Sequence, residues 1–294
     1  MTSATEELLA TAKDAGLTIW LHATRLTGPG AQIDLNGSDP VALASLYKLP
    51  VALAWADLVA TGQLDPRDPL HMPARDRIHG PTGVAMLLDD ITLTARDAVR
   101  LMLAISDNSC ADAVIAHIGQ DRLNAHLLEV GVPNTVVRRG SGEVQLELML
   151  DTGTTTPTDA DRQLADPDHE RRTRQYDPAY SSASTASDIC GMLAQLWRRN
   201  SPAHGCVRDA MALQAWRHRI GSGFPHDDVT VHGKTGTLGR LRHEAAVIGF
   251  PHEHPVAVTV LTRAVRNERH LPRADTAIGE LARTAVTALR LHIA

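Results

Sequence analysis

Apolar residues recur at helical spacing over residues 5–15 and again from about 273 to 291, so the chain is expected to begin and end with amphipathic helices. Just inside these ends the pattern changes to strand-like runs. Residues 17–24 and 31–35 flank a turn made by Gly28, Pro29 and Gly30, which predicts a hairpin. Residues 229–234, 244–250 and 256–262 predict three further strands. Between the two sets, helical spacing returns over 41–62, 94–105, 109–119, 121–130, 185–199 and 202–217. Residues 140–180, with their Gly, Pro, Asp, Thr and scattered charges, read as a long loop with at most a helical turn near 143–150. Loops of that length are usually functional or mobile.

Strands at both ends of a helical middle predict a two-lobed α/β (α+β) molecule. A mainly antiparallel five-stranded sheet is assembled from both termini and flanked by helices, with an all-helical lobe inserted. The sheet lobe comprises residues 1–38 and 218–294, and the helical lobe 39–217, including the enlarged loop at about 140–180. A cleft is expected between the lobes, where ligand sites tend to lie.

The composition is that of an ordinary globular chain: 294 residues, 43% hydrophobic and 21% charged. A net charge of -5 gives no electrostatic reason to expect nucleic acid or an anionic membrane as partner. Arginines cluster only at Arg171, Arg172 and Arg174. The opening residues carry neither a basic nor an apolar leader segment, so a cytoplasmic location is expected. Cys110, Cys190 and Cys206 are odd in number and lie in helix-like sequence, which predicts buried free thiols rather than disulfides.

Chemistry enters through lysine. The chain has 29 basic residues, of which only Lys13, Lys48 and Lys234 are lysines. Lysine can give up its proton when buried or placed beside another cation, whereas arginine stays charged. Lys48 closes a Ser45-Leu46-Tyr47-Lys48 segment at the entry to an apolar helix. Residues three apart share a helix face, so its amine is expected to reach the Ser45 hydroxyl. Ser106-Asp107-Asn108 falls between two helices, and Lys234-Thr235-Gly236 ends a strand beside the expected cleft.

These three motifs, in this order, resemble those of the class A serine β-lactamase and penicillin-binding protein superfamily. The spacings of 61 residues from Ser45 to Ser106 and 128 from Ser106 to Lys234 look similar as well. So do Leu93-Thr94-Ala95-Arg96-Asp97, Arg219-Ile220 and Arg242-His243-Glu244. The resemblance implies that Ser45 forms an acyl-enzyme, that Lys48 accepts or relays its proton, and that Ser106 protonates the leaving atom. It implies that Asn108 binds the substrate amide and Lys48, and that Lys234 and Thr235, with Gly236 beside them, bind a substrate carboxylate. The backbone N–H groups of Ser45 and Thr237 would form the oxyanion hole. A small β-lactam, or a similar carboxylate-bearing amide or ester, is the implied substrate, hydrolysed without metal or organic cofactor. A D-alanyl-D-alanine peptidase or cytoplasmic esterase, and a penicillin-binding sensor that deacylates slowly, are the alternatives. Oligomeric state is left open.

The departures concern the second half-reaction. Family members release the acyl group through a glutamate in an E-x-x-L-N stretch that holds a hydrolytic water. Here the nearest matches start at Glu143 and Glu147, each with an acid in place of the asparagine. Glu143, 37 residues beyond Ser106, is the preferred base, with Glu147 and Lys48 as alternatives. Asp112 stands where the family places an asparagine that braces this loop. Elsewhere, His252-Glu253-His254 reads as a solvated turn rather than a metal pair, and His232, on the Lys234 strand, as structural.

Overall fold

The structure is a computed structural model that describes residues 2–168 and 172–293, so Arg171 of the arginine cluster lies outside the described residues. It starts with α1 (Thr2–Asp14) and the hairpin β1 (Leu17–Arg25) and β2 (Gln32–Leu35). The chain then leaves the sheet through a short strand, β3 (Val41–Ala42), and a 3-10 turn at Ala44–Tyr47 before α2 (Lys48–Ala60). A two-stranded ribbon follows, β4 (Pro69–Met72) with β5 (Ile91–Thr94). The helical lobe continues with α3 (Ala95–Ala104), α4 (Asn108–Ile118), α5 (Gln120–Glu129), α6 (Ser141–Thr152) and α7 (Pro157–Leu164). It ends with β6 (Ala183–Ser184), α8 (Ala186–Arg198) and α9 (Pro202–Ala212). The sheet resumes with β7 (Thr230–Leu238), β8 (Leu241–Gly249) and β9 (Val256–Ala264), and α10 (Pro272–Thr287) closes the fold.

The large sheet has the order β2-β1-β9-β8-β7 and every pairing in it is antiparallel. The inner strands β8 and β9 are buried at nearly every position because both faces are covered. Ala246, Ile248, Val258 and Val260 join the core under α1 and α10, whereas Ala245, Val247, Ala257 and Leu261 join the core of the helical lobe. This is the two-residue period of a strand read from both sides. The helical lobe is built around α2, which is buried from Lys48 to Leu58 and lies against α4, α5, α8 and α9. A helix apolar all round belongs in a core. Among the described residues, no helix is long and apolar enough to cross a membrane.

Three expectations are corrected. The helix expected over 41–62 begins only at Lys48, because Val41 and Ala42 pair with β6 and tie this segment across the lobe. The helix expected to reach 217 stops at Ala212; Gln214 beyond it is buried and hydrogen-bonds the backbone of Leu103 and Gly233. The 140–180 stretch is not a structureless loop, since it holds α6, α7 and a 3-10 turn at Arg174–Tyr176. Leu148, Ala160 and Leu164 form a small core of their own there, while Leu146 and Leu150 point outward and blur the helical period.

Candidate active site

The three motifs meet where β7 passes the turn before α2. Ser45 lies in the 3-10 turn, half-buried, and Lys48 is the first residue of α2, with its side chain fully buried. Ala44, just before Ser45, has φ of 46°, a left-handed conformation that costs a non-glycine residue about 1 kcal/mol and is found at sites that the surrounding structure holds in place. Gly236 explains how β7 comes so close. A Cβ there would stand 2.7 Å from the Leu43 carbonyl and 3.0 Å from the Leu46 nitrogen, a distance no larger residue tolerates.

Ser106 is the second left-handed residue of the site, with φ of 59°. Asp107 then caps α4 by accepting the Cys110 N–H at 2.8 Å, and its other oxygen accepts the Val84 N–H at 2.6 Å. Asn108 is the first residue of α4. The motif is therefore a turn, a cap and a helix start, aiming Ser106 and Asn108 at Lys48.

Lys48 Nζ donates to the Ser106 carbonyl at 2.6 Å and to Asn108 Oδ1 at 2.7 Å, with Ser106 Oγ at 3.3 Å. Lys234, also fully buried, donates to Ser106 Oγ at 3.0 Å and to the Thr235 carbonyl at 2.7 Å. Burial lowers the Lys48 pKa to about 7, against the pull of Asp107, Asp112 and Cys110. Burial also lowers that of Lys234 well below the usual lysine value, and Lys48 beside it adds to the effect. Two amines facing one hydroxyl resist being charged together, so a neutral amine, a base, is available near neutral pH. Glu244, on β8 opposite Thr235, is buried and pushed up by burial to about 7, while accepting the Ile220 N–H at 2.6 Å.

The sequence-predicted residues thus converge for Lys48, Ser106, Asn108, Lys234, Thr235 and Gly236, with Ser45 and Thr237 at the margin. Ser45 makes no side-chain hydrogen bond among the described residues, and Lys48 spends its donors on Ser106 and Asn108. Thr237 is exposed and accepts from Arg219 at 2.8 Å. Glu143 does not join the group. It is exposed on the first turn of α6, and Glu147 is turned to Arg139 at 2.9 Å and to Gln175. Asp112 does brace this segment, accepting the N–H groups of Ser141 at 2.6 Å and Gly142 at 2.9 Å. The residue this brace delivers to the network is Ser141, whose Oγ lies 2.7 Å from the Tyr47 hydroxyl and 3.1 Å from Asn108 Oδ1.

Two further residues support the site. Arg219 donates to the carbonyls of Gly236 and His243, both at 2.9 Å, and pairs with Asp275 at 2.6 Å, which ties β7 to α10. His243 accepts the Thr262 N–H on Nδ1, so its Nε2 carries the proton given to the Ala42 carbonyl at 2.9 Å. Burial lowers its pKa to about 4, keeping it neutral. Both stand in stretches that resemble the family, yet their support roles depend on contacts across the fold.

The discounted features keep structural partners. His232 packs edge-on against Trp197 and bonds the Arg208 carbonyl at 3.0 Å. Glu253 is buried and paired with Arg290 at 2.6 Å rather than solvated, and no cluster of metal-ligating residues occurs among the described residues. The three cysteines are free.

Residues 2–289 match the sequence model of the Beta-lactamase enzyme family. The chain is 27% identical to the beta-lactamase regulatory protein BlaB of Streptomyces cacaoi, over 97% of this chain and 98% of that protein. It is 28% identical to a beta-lactamase of Amycolatopsis lactamdurans, over 90% of this chain and 78% of the relative. Its fold superposes with a TM-score of 0.78 on an ancestral class A beta-lactamase, 21% identical, covering 97% of this chain and 100% of that one. The antiparallel sheet with its inserted helical lobe is the class A fold, and the chain belongs to the beta-lactamase enzyme family.

Proposed function

We propose that the protein is an acyl-serine enzyme that reacts with a β-lactam, or a similar small carboxylate-bearing amide or ester, at Ser45 and releases the acyl group slowly. The observation that carries this reading is the content of the Lys48 network: two buried amines, the hydroxyls of Ser106, Ser141 and Tyr47 and the Asn108 amide, with no carboxylate hydrogen-bonded to any of these side-chain groups among the described residues.

In the first half-reaction neutral Lys48 takes the Ser45 proton as Ser45 Oγ bonds the substrate carbonyl carbon. The C–N bond then breaks, and the proton passes from Lys48 through Ser106 to the leaving nitrogen. A substrate carboxylate at Lys234 and Thr235 supplies the negative charge that lets Lys234 hold a proton. The backbone N–H groups of Ser45 and Thr237 face the developing oxyanion. Release needs a base for water, and Glu143 points outward. The relative that carries a regulatory name supports slow release; the relative named beta-lactamase favours turnover, with Glu143 swinging inward as base.

Stopped-flow kinetics with a chromogenic cephalosporin separate the two. Slow release predicts a burst equal to one equivalent of protein followed by a much slower steady state. Multiple rapid turnovers without a burst would refute it.

A further inference from the structure

Tyr47 sits inside the Ser45–Lys48 segment, and Ser141 opens a helix 94 residues later, yet their hydroxyls meet in the interior. Tyr47 is 4% and Ser141 7% exposed. Among the described residues, Ser141 is the sole hydrogen-bond partner of the Tyr47 hydroxyl. A buried phenol in that position is satisfied by donating, and burial raises its pKa so that it keeps the proton. Ser141 Oγ therefore receives from Tyr47 and passes its own proton toward Asn108 Oδ1.

The consequence falls on Lys48. Asn108 Oδ1 accepts from Ser141 and from Lys48, and Asn108 Nδ2 donates to the His79 carbonyl at 3.1 Å, so the carboxamide is held at both ends. A neutral lysine amine has two N–H groups. The Ser106 carbonyl and Asn108 Oδ1 take both, at 2.6 and 2.7 Å, and the lone pair is left for a serine hydroxyl, that of Ser106 lying 3.3 Å away.

We propose that Tyr47 and Ser141 are positioning residues that lock the Asn108 amide and so direct the lone pair of Lys48. This inference rests on Lys48 being the base that activates Ser45.

The groups facing Lys48 are Lys234 from β7, Asp107, Cys110 and Asp112 from α4, and the Tyr47 ring on its own segment, 5.9 Å from Nζ. None of them changes in Ser141→Ala. Removing the Ser141 donor frees Asn108 Oδ1 to accept more strongly from the charged amine and opens room for a water, both of which favour ammonium.

The test is the pH profile of acylation by a fluorescent penicillin, alongside thermal melting. Loss of one buried hydrogen bond should slow acylation about 10-fold at neutral pH in Ser141→Ala and Tyr47→Phe, and move the acid limb to higher pH. The double variant should lose no more than either single one, because the chain is broken once, and Ser141→Thr should restore the rate. Additive losses, or an acid limb that stays in place, would overturn the proposal. Lys48 can also be followed directly by 13C NMR of labelled lysine, since the protein has only three lysines. If the wild type is not acylated, the Ser45 reading fails. The lock then stands if the Lys48 midpoint, near 7, rises in Ser141→Ala, and falls if it does not move.

Discussion

Lys48 stands at the start of a helix that is apolar from Leu49 to Ala56, where burying a cation would be prohibitive unless it were partnered or neutral. The fold supplies both remedies, two oxygen acceptors and a pKa lowered to about 7. Because the base form is the neutral amine, acylation is expected to rise with pH through about 7 and to be lost below it, as measured by the rate of penicillin labelling. Lys48→Arg keeps the charge but removes the ability to accept a proton, so labelling should fall about 10³-fold. Ser141→Glu is expected to act on the other half-reaction. It puts a carboxylate beside Asn108 and Lys48, and release of the acyl group should quicken about 10²-fold, seen as loss of the burst. These residue roles were unequally visible in the sequence. Ser45, Lys48, Ser106 and Lys234 stand in compact motifs, whereas Ser141 is delivered by Asp112 from another helix, and no local spacing announces it.

At the scale of elements, the site exists because β7 can lie against the turn before α2, and Gly236 is the contact point. Gly236→Ala would push a methyl into the Leu43 carbonyl and Leu46 nitrogen, separating strand from turn. Overpacking of this kind should cost about 1 to 3 kcal/mol, read as a lower urea midpoint, and labelling should fall with it. The elements themselves were largely readable: both terminal helices, the hairpin and the three later strands follow from periodicity. The short ribbons and α6 with α7 did not. Strands of two to four residues leave too short a period to read, and α6 carries Leu146 and Leu150 on its solvent side, so its pattern never resolves into one apolar face.

For the whole molecule, two cores meet across one sheet, and a carboxylate at the far end of α2 knits the helical lobe together. Asp57 accepts from His126 at 2.8 Å, His204 at 2.9 Å and Arg199. Burial alone would raise its pKa, but these three partners outweigh burial and hold it well below the usual carboxylate range. A depressed folded pKa contributes stability at pH above that of an unfolded aspartate, about 4, and loses it as the pH falls further. Asp57→Asn should therefore destabilise the protein by about 3 kcal/mol at neutral pH, with the gap to wild type closing in acid, as followed by urea unfolding. The central claim concerns neither lobe alone but the serine held between them. Intact-protein mass spectrometry after a pulse of benzylpenicillin tests it most directly. The account predicts one persistent adduct per chain in the wild type, located on Ser45 by peptide mapping, and none in Ser45→Ala. An adduct that survives in Ser45→Ala, or a wild type that neither retains nor hydrolyses the penicillin, would contradict it.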